Sequence, residues 1–508
     1  MDTPIAAAPL VTDHRRRFIL FLFLMAAMFM ATLDNQIVAT ALPTIVGEFG
    51  RLERFGWVGS AYLLAVSAVM PLYGKLGDLF GRKYVMMAAI TIFTVGSAVC
   101  GLAISMNTLI GARVLQGLGG GGIMVSIFAV NADLFEPRER ARYQSYSSLV
   151  LMASGAIGPV LGGAMSDLFG WRSIFLVNVP LGFVVLIGLG LMLPYRKPNR
   201  RPKIDYAGAL LLALTATCIV LAADGAQIFG SLAAAQNLAI IALGAAAVMG
   251  WIFVERRAAE PIVPLSLFRN STFTLLLVMS VMSGAIGIGM VNYFALFLQT
   301  TTGLSPSAAG AFFILLTGGI VCGSLSAGRI ISVTGRYKPF AIASLSCSAI
   351  AFVLFTQIHA GTPVLLIGAA MALHGFGVGL AQQVPVIGVQ NAAPARDVGA
   401  ATGSVTLSRM GGASIAISVY GAIVSSQLAK AELSIPGVTN IEQLTPKMLA
   451  ALPEELRQAV AEAYANAFTP LFMASCAIAF IGLCAAVMLK PTQLPRMAGS
   501  AASAEAAE

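Results

Sequence analysis

Asp34 and Arg113 stand inside long apolar runs, at about 17 to 38 and about 108 to 132 of the 508-residue chain. A charge at mid-depth of a hydrocarbon layer costs roughly 2.5 to 3.5 kcal/mol on insertion scales, so an ionisable residue held there is a candidate for function. A carboxylate binds a proton more tightly when desolvated and less tightly beside a guanidinium. Moved between two such environments it takes up and releases a proton, which is the elementary step of proton exchange. Three readings of the pair stand open. Asp34 titrates in competition with a cationic or polar substrate while Arg113 tunes the competition, or the two form a fixed ion pair joining their segments, or Asp34 caps a helix end. At about 1.5 Å rise per residue both fall in the outer half of their segments, where they are expected to meet across a central cavity.

Other residues offer less. Asp224 lies near the end of an apolar run, within Ala222-Ala223-Asp224-Gly225-Ala226, and His374 lies mid-run, where a histidine titrates near neutral pH or simply bonds a neighbouring helix. Arg409, in Ser408-Arg409-Met410-Gly411-Gly412, is either a buried cation or a residue near a segment end. Tyr62, Gln116, Asn292, Tyr293, Gln299, Gln382 and Gln383 combine apolar bodies or short stems with hydrogen-bonding groups, the mixture that lines small-molecule cavities. The chain has no Gly-x-x-x-x-Gly-Lys-Ser/Thr loop, no metal-type cluster and no Gly-x-Ser-x-Gly elbow. No enzyme, cofactor or metal is expected, and direct ATP drive is not expected either.

The elements that position these residues follow from composition. Hydrophobic residues make up 58% and charged residues 10%, against about 25% charged in an ordinary globular protein, so the solvent is largely lipid. The formal net charge of +9 sits in short clusters between apolar runs, which argues against a nucleic-acid partner. The six cysteines lie inside apolar segments and read as packing residues. About fourteen stretches are long enough to span a bilayer, roughly 17–38, 57–77, 84–104, 108–132, 143–166, 173–194, 206–225, 234–254, 272–297, 307–330, 338–358, 364–390, 400–424 and 466–489. Alternate loops hold Arg15 to Arg17, Lys75, Arg82, Lys83, Arg138, Arg140, Arg142 and Arg196 to Lys203, while the others hold only Arg51, Arg54, Arg172, Lys430, Lys447 and Arg457. Cations collect on the cytoplasmic side, so both termini are expected there. The expectation is an all-α polytopic membrane protein, multi-pass in a bacterial inner membrane. An amphipathic stretch from Pro453 to Tyr464, in the outer loop 425–465, predicts a short interfacial or solvated helix.

An internal repeat orders the spans. Gly74-Lys75-Leu76-Gly77-Asp78-Leu79-Phe80-Gly81-Arg82 follows the second span, and Gly328-Arg329-Ile330-Ile331-Ser332-Val333-Thr334-Gly335-Arg336 follows the tenth. The shared spacing of Gly74 and Gly81 with Gly328 and Gly335 suits tight turns and close helix approach, with the cations facing anionic headgroups; an ordinary positive loop explains the charges alone, and the repeated spacing points to a gating or bundle-contact role. Ser332 replaces Asp78, so an ion pair made by Asp78 has no counterpart in the second copy. Residues 17–195 are then one six-helix bundle and 265–490 another. Two inserted helices occupy 196–264, and 1–16 and 491–508 are tails.

The run Gly74 to Lys83 resembles the signature of the major facilitator superfamily. Leu33 to Pro43, Arg113 to Gly119 and Ser154 to Gly163 resemble motifs of its fourteen-span drug/proton antiporter branch, with Ser154 in place of a leading glycine; Trp171 to Pro180 and Phe297 to Pro306 extend the match. The resemblance implies two six-helix bundles plus two inserted helices around a central cavity, working by alternating access. It implies a proton-coupled antiporter that exports small amphipathic or cationic compounds, with Asp34 and Arg113 coupling protons. Gly74, Asp78, Gly81, Arg82 and Lys83 would gate. Gly158, Pro159, Gly162 and Gly163 would form the antiporter motif, which with Gly155 makes a pliable glycine seam that closes the cavity against proton leak. The alternative on the same fold is a dedicated transporter of one metabolite, such as an amino acid. A monomer among lipids, binding small molecules and protons, is the expected working unit.

Overall fold

The computed structural model describes residues 10–49, 55–196, 205–223, 225, 229, 233–258, 261–302, 304, 306–359, 361–428, 430 and 453–494. Its α-helices are α1 (His14–Phe49), α2 (Phe55–Phe80), α3 (Arg82–Gly101), α4 (Met106–Leu134), α5 (Pro137–Ser145), α6 (Ser147–Phe169), α7 (Ser173–Leu176), α8 (Asn178–Met192), α9 (Tyr206–Ala223), α10 (Ala235–Glu255), α11 (Ser271–Gly287), α12 (Val291–Thr301), α13 (Pro306–Thr334), α14 (Lys338–Phe355), α15 (Val364–Ala381), α16 (Val384–Ala392), α17 (Val398–Leu428) and α18 (Glu454–Met488). In lipid a backbone must satisfy its own polar groups, and helix does so within one segment. Helix occupies each of the fourteen expected places. Among the described residues eleven stretches are long and apolar enough to cross a membrane, and Tyr206–Ala222 and Ser271–Gly287 are shorter apolar helices.

Each bundle has a large apolar core. Leu24, Met28, Phe93, Ile123, Ile127 and Val130 centre that of the first, and Phe294, Phe352, Phe355, Phe468, Leu471 and Phe472 that of the second. The first bundle has a further cluster around Leu33, Ile37, Leu109 and Phe175. Large apolar side chains such as Phe183, Ile187 and Leu191 on α8 and Ile350 and Val353 on α14 stay exposed, as a lipid-facing surface requires. Between the cores, α9 and α10 pack together, and α9 also lies against α2 of the first bundle and α17 of the second. A small apolar cluster of Leu212, Trp251, Leu72 and Leu407 joins them.

The stretch expected as a short separate helix from Pro453 is instead the first part of α18, continuous to Met488. Its charged turns extend a span, and the helix runs on through Pro470 without a break. The α4 glycines form a seam on both sides: a side chain at Gly117 or Gly121 would strike the α2 backbone at Tyr62 or Val66, and one at Gly119 would strike α3 at Phe93. Without a hydrophobic drive in lipid, such backbone contact holds helices together.

Candidate functional site

Asp34 on α1 and Arg113 on α4 meet, but not across a cavity. They lie wholly inside the first bundle, at 1% and 0% exposure. The reason is the α4 glycine seam, which draws α2, α3 and α4 so close that the long Arg113 side chain is enclosed among them. Arg113 Nη1 donates to Asp34 Oδ2 at 2.5 Å and to Gln116 Oε1 at 2.6 Å, and Nε donates to the Val58 carbonyl at 3.1 Å. Asp34 Oδ1 accepts from Gln116 Nε2 at 2.7 Å and from Asn178 Nδ2 at 2.8 Å. Gln116 Nε2 also donates to Ser97 Oγ at 2.7 Å. The guanidinium lies 4.3 Å from the centre of the Tyr62 ring, whose hydroxyl donates to the Ala31 carbonyl. Tyr62 and Gln116, expected on a cavity wall, therefore belong to this buried knot. The pair is charge-compensated and bonded on both carboxylate oxygens, the condition under which buried ions are tolerated. Arg113 Nη2 alone lacks a partner. Asn178 and Ser97 were not singled out from sequence. Asn178 lies in the Trp171 to Pro180 run, which was the one signal available for it.

A second site closes the seam between the bundles at the end carrying the Gly74 loop. A side chain at Gly74 would lie 2.2 Å from the Gly399 carbonyl oxygen, so α2 and α17 touch backbone to backbone. Asp78 Oδ2 accepts from Gly399 N at 2.9 Å and Ala400 N at 3.3 Å, so a carboxylate of one bundle caps the first turn of α17 in the other. The repeat performs the converse contact: a side chain at Gly328 would strike Ser145. Gly81 and Gly335 both adopt the left-handed backbone, φ 90° and 71°, which glycine alone enters without strain. Ser332 bonds its own helix at Arg329, so the second copy has no trans cap.

Arg329 and Arg336 of the second copy are exposed, whereas the cations of the first copy turn inward rather than toward headgroups as expected. Lys75 is buried with its ammonium 4.0 Å from Asp397; Arg82 pairs with Asp78 and Asp133 and bonds the Ala129 carbonyl. Lys83 donates to the Gly190 carbonyl. Acidic partners and helix-end carbonyls lie within reach and outcompete solvent. Arg138 donates to the Val333 and Leu494 carbonyls, and Arg140 to Gln390 Oε1 at 3.1 Å, both across the seam. Burial, then the neighbouring Arg82, pulls the Arg140 guanidinium down to about 10 against the opposing Asp133, so it stays charged at neutral pH.

The remaining residues separate. His374 is buried with Nε2 3.1 Å from the Ile286 carbonyl and its ring against Phe352, the interhelical bonding role. Tyr293 donates to the Ile417 carbonyl at 2.6 Å. Gln382 accepts from Ser148 of the first bundle at 2.7 Å, and Gln383 Oε1 is buried without a partner. Arg409 is a part-buried cation well inside α17. Asp224 and the side chains of Asn292, Gln299 and Pro159 lie outside the described residues. The expected glycine seam on α6 holds only in part. A side chain at Gly158 would meet Gln36 of α1, whereas Gly155 and Gly163 face open space, and Gly162 is buried. Gly155 and Gly163 lie on faces of α6 that α1 does not cover.

The family pattern of the Major Facilitator Superfamily matches residues 24–417. An uncharacterized MFS-type transporter of Mycobacterium tuberculosis is 33% identical over 498 residues, covering 96% of this chain and 72% of that protein. A multidrug transporter protein of Bacillus subtilis is 32% identical over 416 residues, covering 81% of this chain and 76% of that protein. Among solved structures, the proton:xylose symporter XylE superposes with a TM-score of 0.60 at 13% identity, over 95% of this chain and 98% of that one, a likeness of fold alone. With its helical fold, two bundles and Gly74 to Lys83 loop, the chain belongs to the Major Facilitator Superfamily, a family of multi-pass membrane transporters of small-molecule substrates.

Proposed function

We propose that the chain is a proton-coupled antiporter that exports small amphipathic or cationic organic compounds, a multidrug efflux carrier working by alternating access. The observation that carries this reading is the buried knot of Asp34, Arg113, Gln116 and Asn178. A carboxylate so enclosed changes its proton occupancy only when the surrounding helices shift, which ties protonation to conformation. The relatives named as multidrug transporters and efflux pumps support the direction. Residues 17–195 and 265–490 act as the two rocking bodies, with 196–264 inserted between them. Both termini and the Gly74 loop lie on the cytoplasmic side of a bacterial inner membrane, and the seam closed by Asp78 is the cytoplasmic gate of a monomeric carrier.

The test is transport in proteoliposomes with an imposed pH gradient. Several chemically unrelated compounds are expected to dissipate the gradient, and Asp34→Asn is expected to abolish that proton movement. Saturable flux of a single metabolite, or proton-driven flux undiminished in Asp34→Asn, would overturn the reading.

A further inference from the structure

The second bundle holds a cation for which it supplies no anion. Arg409 stands 11 residues into α17, about 16 Å along its axis, near the middle of a span. Among the described residues its one bond is from Nη2 to the Gln382 carbonyl at 2.6 Å; Nε has no partner, and no carboxylate pairs with it. The sequence offers few candidates. Between 265 and 490 the acidic residues are Asp397, Glu432, Glu442, Glu454, Glu455 and Glu462. Asp397 is 12 residues away at the start of the helix, about 18 Å, and already lies beside Lys75. In the first bundle Asp34 is consumed by Arg113.

The local backbone adds to this. Pro385 cannot donate to the carbonyl four residues back, so the helix breaks at Gln382 and Gln383, between α15 and α16. The break stands on the bundle seam, since Ser148 of the first bundle bonds Gln382 Oε1. It sets a part-buried guanidinium beside the N-terminal end of α16, while Gln383, 7% exposed with its Oε1 unbonded, lines a small cavity with Ser145, Gly328 and Ile331 instead. Broken helices at the midplane between repeats are where carriers of this architecture place ligands, and a helix N-terminus with a guanidinium favours negative charge.

We propose that Arg409, beside the α16 N-terminus, is a binding site for the acidic group of an amphipathic organic anion, a carboxylate above all. A guanidinium fork matches a carboxylate in two parallel bonds, and an ammonium-bearing ligand is repelled there. This deepens the export reading and rests on it, narrowing the substrate class from amphiphiles in general, cationic ones included, to those carrying an acid.

Equilibrium dialysis of the purified full-length protein against three matched probes tests it: 1-pyrenebutyrate, its carboxamide, and the corresponding butyl trimethylammonium salt. Empty micelles give the background. Wild type is expected to bind the carboxylate at least ten-fold more tightly than either analogue. Arg409→Gln is expected to remove that preference while leaving amide binding within about two-fold, and Arg409→Lys to retain part of it. Equal binding of all three probes by wild type, or an equal loss for all three in Arg409→Gln, overturns the site. Should Arg409→Gln fail to fold, the wild-type ranking and Arg409→Lys decide alone. Flux of the same probes in proteoliposomes separates the two readings: no transport of any probe counts against export, whereas transport without preference for the acid counts against this site only.

Discussion

Replacing Asp34 by asparagine removes the charge that Arg113 faces while leaving the side chain's shape. The amide has one acceptor oxygen where the carboxylate has two, and the carboxylate now serves Gln116 and Asn178 on Oδ1 and Arg113 on Oδ2. Whichever way the amide is turned, its NH2 meets a donor, and a guanidinium that cannot shed its proton is left inside the bundle with the Val58 carbonyl and Gln116 Oε1. Removing one partner of a buried pair costs about 3 to 5 kcal/mol, so Asp34→Asn is expected to lose that much. Arg113→Gln alone is expected to cost less, because a carboxyl group can neutralise itself by taking a proton and a guanidinium cannot. The double variant, a neutral knot, is expected to recover at least about 2 kcal/mol relative to the sum of the singles. Reversible SDS unfolding in bicelles, run as a double-mutant cycle, measures this. A cost below about 1 kcal/mol for Asp34→Asn, or additivity within about 0.5 kcal/mol, would refute the argument that the pair is mutually dependent.

The trans cap yields a second expectation. Asp78→Ala removes an interaction worth about 0.5 to 2 kcal/mol, so the ratio of closed to open seam should fall about two- to thirty-fold, read as slower disulfide formation between Ser148→Cys and Gln382→Cys. Gly74→Ala should reduce the same cross-link further, since its Cβ would lie 2.2 Å from a backbone oxygen that has no freedom to retreat; an unchanged yield would show the seam is not closed by that contact. At the opposite end, Arg172 and Trp171 hold the Glu48 carboxyl below its ordinary value of 4.5. A lowered native value stabilises above the ordinary one and is lost as pH falls through it, but both side chains are more than a third exposed. Glu48→Gln should therefore cost under about 1 kcal/mol at pH 7, and the difference from wild type should shrink further on acidification below about pH 4; a larger loss in thermal unfolding would contradict the exposure argument.

How much of this was legible in the sequence depended on the energy each residue puts at risk. Asp34 and Arg113 announce themselves because charge in an apolar run has no cheap explanation. Asn178, which bonds the same carboxylate, does not, because an amide in a span costs little and its partner is 144 residues away. The Gly74 and Gly328 repeat was visible as spacing, and the matching left-handed turns at Gly81 and Gly335 follow from it. What that spacing could not disclose is that Asp78 reaches residue 399, since a capped helix in another bundle leaves no periodic mark. Charge alone suggested that Lys75 and Arg82 face lipid headgroups; their burial depends on Asp397, Asp133 and a helix-end carbonyl that only assembly brings near. Gly155 and Gly163 show the opposite failure, small residues that read as a seam and meet nothing within 4 Å.

The glycine-packed faces of α4 have a mechanical consequence. Where backbones touch there are no side chains to re-rotamerise, so α2, α3 and α4 cannot slide past one another by small increments. They form a stiff lever whose fulcrum lies near Arg113. A displacement of the Gly74 end by the width of one side chain is then carried toward the far end of the same helices, about 39 Å away along the 26 residues of α2, with Pro71 the point in that helix where it can bend. The softness needed for rocking then resides there, at the broken helix around Gln382 and in the uncovered faces of α6.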